Sequence, residues 1–104
     1  MLIEGYLAKI HTYPKDEIKI VVTVSAKSIL APSWGLLEAY KAGRVTWSIY
    51  ERIFRLQMTK SPEAMAEMRR IKELAKIKDV RLICYEKEYP CHRFILIEII
   101  NEMV

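Results

Sequence analysis

Between Leu82 and Arg93 the chain gathers two thiols (Cys84, Cys91), an imidazole (His92), a guanidinium (Arg93), a carboxylate (Glu86) and a phenol (Tyr85). These groups attack carbon or phosphorus, carry protons and hold anions. A thiol at a helix amino terminus, beside an imidazole and a guanidinium, has its thiolate favoured by the helix dipole and the neighbouring cations. Cys91 fits that description if a helix opens at Cys91-His92-Arg93. His92 would then handle protons, and Arg93 would hold a phosphate or carboxylate at a helix start that favours negative charge. Cys84, Tyr85 and Glu86 would line the same pocket.

Each residue also has a plainer reading. Cys84 reads first as a small buried hydrophobe at a strand end. Arg93 can pair with Glu86 or Glu88 across the turn, a surface contact worth about 1 kcal/mol at most. A zinc site would recruit Cys84, Cys91, His92 and His11, but Cys91 and His92 are adjacent and Cys84 lies seven residues away. That is not the spacing of a zinc motif, so no metal is expected. A cysteine-phosphatase loop is excluded too, because Cys84 stands nine residues from Arg93 and glutamates replace the glycines. The cysteines themselves could be bridged or free. No Gly-rich nucleotide loop or Gly-x-Ser-x-Gly elbow is present, and the sequence leaves the cofactor unknown.

The elements that must position these groups follow from periodicity. Residues 4–11 alternate loosely and read as a first strand. Ile18 to Val24 is almost wholly β-branched or apolar and reads as a central strand buried on both faces. Ser25 to Leu30 is a connector. Ser33 caps a helix over 34–41 that Gly43 stops, and Thr46 caps another over 47–58. In that second helix Trp47, Tyr50 and Phe54 form one apolar row and Ile49, Ile53 and Leu56 a neighbouring one. Ser61-Pro62-Glu63 opens a third helix over 62–77, with Met65, Met68, Ile71 and Leu74 facing the core. Val80 to Tyr85 is the last strand. Residues 91–103 read as a helix with one polar stripe, Glu98, Asn101 and Glu102, on an otherwise apolar surface.

Length and composition set the class. At 104 residues, 52% hydrophobic and 29% charged, one globular domain over residues 1–104 is expected. Its opening residues lack a basic, then apolar, leader, and no apolar run approaches a membrane span, so a cytoplasmic chain without membrane contact is expected. One Gln and one Asn against 17 Lys/Arg and 13 Asp/Glu resemble a heat-adapted composition. The +4 charge permits nucleic-acid contact through Arg69, Arg70, Lys72, Lys76, Lys78 and Arg81, although a solvated helix face explains that stretch better. A third reading has the apolar last helix, with Trp34 or Trp47, forming a homodimer.

The ending Leu82-Ile83-Cys84-Tyr85-Glu86, an acidic loop, then Cys91-His92-Arg93, resembles the family known as domain of unknown function 488. The Ile20 to Val24 strand, Ala31-Pro32-Ser33, and the Met65 to Asp79 helix are similar more loosely. Short members follow the central strand with Asp-Arg-x-Trp-Pro-Arg-Gly, whereas this chain has Ser25-Ala26-Lys27-Ser28-Ile29-Leu30. An activity that needs those groups is therefore not carried over. The resemblance implies a small α/β fold with a polar pocket at the sheet's carboxyl edge. The expected fold is thus a small, mainly parallel sheet of about three strands flanked by four helices. The short link between the first two strands leaves open whether they pair antiparallel in a mixed sheet. The expected function is an anionic small-molecule site at the last strand-to-helix turn, in an enzyme or a binding domain. The alternative is a basic nucleic-acid or protein interaction module.

Overall fold

The computed structural model describes residues 1–85 and 91–104; Glu86 lies outside them. Three strands, β1 (Leu2–Tyr6), β2 (Ile18–Val21) and β3 (Val80–Cys84), form one sheet in the order β1-β3-β2. Both pairings are parallel, with Tyr6 opposite Cys84 and Val21 opposite Ile83. The first two strands therefore do not pair at all: β3 lies between them, and the sheet is wholly parallel.

Two expectations need correction. The central strand is β3, buried at Val80, Leu82, Ile83 and Cys84, while all four residues of β2 are half-buried at an edge. β-Branched composition reports fitness for a pleated surface and says little about place in a sheet. The strand expected over 4–11 ends at Tyr6, and Leu7–Thr12 is a 3-10 helix in which the Thr12 hydroxyl donates to the Lys9 carbonyl. β2 also ends early. Val22 N still donates to the Ile83 carbonyl at 2.8 Å, but the Thr23 hydroxyl then accepts from Ala26 N, and Lys27 takes a positive φ of 56°. That turn ends the ladder.

The helices lie close to expectation: α1 (Trp34–Lys41), α2 (Trp47–Thr59), α3 (Pro62–Ala75) and α4 (His92–Glu102). Ser33, Thr46 and Ser61 each accept from the backbone N–H three residues on, satisfying a donor that no carbonyl reaches. Gly43 follows α1 at φ +76°, where a side chain would be strained. In α2 only the Tyr50, Phe54 and Met58 row is buried; Ile49, Ile53 and Leu56 are exposed. α4 buries Ile95, Leu96, Ile99 and Ile100 and packs on α2, α3, β1 and β3. Much of its apolar surface is thus covered within one chain. Its polar stripe meets α2, where Arg55 pairs with Glu98 at 2.8 Å and Glu102 at 3.4 Å. No helix among the described residues is long and apolar enough to cross a membrane.

Gly5 marks a close approach on β1. A Cβ there would lie 2.7 Å from Arg81 Cδ and 2.9 Å from Tyr13 Cε2. The Arg81 guanidinium stacks 3.9 Å from the Tyr13 ring centre and is gripped by the buried Glu17 carboxylate, so neither neighbour is loose. Gly5→Ala is expected to cost about 1–3 kcal/mol by overpacking, read as a lower urea midpoint with an unchanged slope. A midpoint equal to wild type would show that the Tyr13–Arg81 layer shifts freely.

Candidate functional site

The carboxyl end of β3 and the start of α4 meet at the sheet's carboxyl edge, where α/β sheets bind ligands. Cys84 closes β3. Cys91 is the extended residue before α4, at φ −151° and ψ 149°, and its side chain makes no capping bond. The two cysteines, left open as bridged or free, are joined in a disulfide, with Cα atoms 7.4 Å apart. Both are buried.

His92, the first residue of α4, turns inward and is buried. Its Nε2 lies 2.6 Å from the carbonyl oxygen of Val22, just past β2. A carbonyl can only accept, so Nε2 carries the proton and donates it. Nδ1 is therefore the bare nitrogen, and it lies 3.6 Å from Cys84 Sγ and 3.8 Å from Cys91 Sγ. The Phe54 ring meets the imidazole edge-on, with centres 5.5 Å apart. Burial pushes the His92 pKa from 6.5 down to about 4, and the Arg93 charge pushes the same way against the bond to Val22. At neutral pH the ring is an uncharged acceptor facing two sulfurs.

Arg93 is 0% exposed. Its Nε donates to the half-exposed carboxylate of Glu4 on β1 at 2.9 Å, and its guanidinium carbon sits 4.5 Å from the Phe94 ring centre. The cation expected to meet a ligand is thus engaged from within the sheet. Tyr85 is 71% exposed at the edge of the site. The structure therefore brings Cys84, Cys91 and His92 into contact, with Arg93 next along α4 and Tyr85 outside; Glu86 is outside the described residues. His11 is exposed on the 3-10 helix and is not part of the cluster.

Sequence reasoning did not connect Glu4, Phe54 or the Val22 carbonyl with this site. Phe54 carried a signal, since it shares the apolar row of α2 that packs inward. Glu4 carried one only as a charge in an otherwise apolar strand. The basic stretch is largely used inside the chain: Arg70 pairs with Glu67, Lys76 with Glu73 and Arg81 with Glu17, while Lys72 donates to the Ile100 carbonyl. An open groove of about 530 Å³ lies at the other end of the sheet, lined by Met1, Asp16, Glu17 and the 75–79 turn.

Residues 13–104 match the model of family DUF488-N3a, described as the active DUF488-N3 subclade. The matched span takes in β2, β3 and α4, and with them both cysteines, His92, Val22 and Phe54. No curated protein and no solved structure matches the chain.

Proposed function

This chain belongs to the DUF488 family, and we propose that it is a binding domain for small anionic molecules, with thiol chemistry at its site. The observation that supports this reading is the convergence of Cys84, Cys91 and His92 at the carboxyl end of the central strand. Parallel strands and the amino terminus of an 11-residue helix converge there, a setting that draws negative charge. With the bridge reduced, Cys91 stands at the helix start, where the dipole favours negative charge. The bare Nδ1 of His92 accepts the S–H hydrogen and orients the thiol. Because burial opposes charge on the ring, the thiol proton leaves to solvent and does not stay on the imidazole. Arg93, held by Glu4, is a positioning residue that contributes positive charge beneath the helix start. Glu86 and Tyr85 would complete the ligand's surroundings.

Alkylation tests this reading. The chain is reduced, freed of metal with a chelator and treated with iodoacetamide at pH 7, and the modified cysteine is identified by mass spectrometry. Cys91 should react about tenfold faster than a free cysteine. Millimolar phosphate or a nucleotide should slow it at least threefold. Two thiols that stay silent until urea unfolds the chain would overturn the proposal, as would labelling that no anion affects.

A further inference from the structure

We infer that, once the bridge is reduced, Cys84, Cys91 and His92 hold one thiophilic divalent cation of the zinc class, with a fourth position left open. Linear spacing argued against a metal; the fold removes that objection. Sγ of Cys84, Sγ of Cys91 and a ring nitrogen of His92 all lie within 4.8 Å of one another, and all three side chains are buried. Zinc bonds sulfur at about 2.3 Å and imidazole nitrogen at about 2.0–2.1 Å, so sulfur and nitrogen on one tetrahedral ion stand about 3.6 Å apart. In the bridged chain the two separations are 3.6 and 3.8 Å, so each sulfur starts within reach of an ion held by Nδ1. Two thiolates on such an ion stand about 3.8 Å apart by the same geometry. Cysteines whose Cα atoms are 7.4 Å apart can supply that spacing without moving their backbones.

The imidazole adds an independent observation. A metal-bound histidine commonly donates its other ring N–H to a carbonyl or carboxylate, which fixes the tautomer and aims the bare nitrogen at the ion. His92 already does this: Nε2 is held by the Val22 carbonyl at 2.6 Å, and Nδ1 faces the sulfurs. Phe54 restrains the ring from the side. Charge balances as well, because two thiols give up two protons to the buffer and the resulting thiolates neutralise a divalent ion. Three protein ligands with an open fourth position is the arrangement of catalytic zinc, where the ion acts as a Lewis acid on whatever occupies that position. The inference goes beyond the thiol reading, since it uses the same side chains as ligands and requires no reaction at sulfur.

Cobalt substitution is the test. The full chain is reduced with a phosphine, which becomes phosphine oxide by taking oxygen from water as the disulfide gains two electrons and two protons. It is then titrated with Co²⁺ under nitrogen. The expected result is one ion per chain, with the near-ultraviolet thiolate-to-cobalt band and the strong visible bands of a tetrahedral centre. Zinc should displace it with sub-micromolar affinity. Cys84→Ser and Cys91→Ser should each weaken zinc at least a hundredfold and His92→Gln at least tenfold, with circular dichroism showing that the variants fold. Bridged protein should give no bands. Reduced, folded wild-type protein without tetrahedral cobalt bands overturns the inference, as does affinity unchanged in both serine variants. The alkylation experiment is run with chelator, so it stands or falls separately.

Discussion

Phe54→Ala is expected to lower folding stability by about 3–5 kcal/mol, seen as a large fall in urea midpoint. Phe54 is fully buried at the meeting of α2 and the site, with Tyr50 at 6.2 Å on one side and His92 at 5.5 Å on the other. Truncation removes the transfer free energy of the ring and leaves a cavity that the close-packed core around it closes only in part. A domain of this size has about 5–15 kcal/mol in all, so the loss is a large share. The consequence for the site is specific. With its edge-on neighbour gone, the imidazole can rotate away from the Val22 carbonyl, so the variant should also bind Co²⁺ more weakly than Phe54→Leu, which refills part of the space. A cost below about 1 kcal/mol would show that Phe54 is not the wall the site leans on.

The contrast between local and distant signals explains what could be read from the sequence. Ser33, Thr46 and Ser61 were legible as helix starts because a cap is decided within four residues, and the structure shows each hydroxyl accepting as expected. Gly43 was legible for the same reason. The place of β3 between β1 and β2 was not, because a parallel pairing joins segments some sixty to eighty residues apart and leaves no mark on either. The β-branched run Ile18 to Val24 therefore looked central and proved to be an edge.

The site divides along the same line. That Cys84, Cys91 and His92 lie close together was legible, since all three lie within one strand–turn–helix unit. Which way they face was not. Arg93 draws its partner from Glu4, 89 residues earlier, and the His92 tautomer is set by a carbonyl 70 residues earlier. The adjacency of Cys91 and His92 argued against a metal because sequence rules assume that ligands share a helix or a knuckle; the inferred site departs from that assumption. Here the extended Cys91 backbone and the helical His92 backbone send neighbouring side chains to the same point. Only the turn into α4 makes that possible.

The acid side of the stability profile should carry the signature of His92. The folded ring has its pKa lowered from 6.5 to about 4, with burial as the main cause. Above pH 6.5 the ring is neutral in the folded and unfolded chains, and its contribution is fully present. As pH falls from 6.5 toward 4, the unfolded chain takes up a proton that the folded chain refuses, so folding weakens throughout that window. Below about pH 4 both states are protonated and the loss levels off. A shift of this size corresponds to about 3 kcal/mol between the two limits. The folded chain must place that proton on Nδ1, beside the sulfurs, because Nε2 already donates to Val22. Urea unfolding of bridged, chelator-treated protein between pH 3.5 and 7.5, by about half-unit steps, should show wild-type stability falling more steeply than that of His92→Gln. The difference between the two curves should rise by about 3 kcal/mol from pH 4 to pH 6.5 and be flat outside that range. Parallel curves would mean that the imidazole reaches solvent in the folded chain, and the neutral, inward-facing Nδ1 on which the site depends would have to be abandoned.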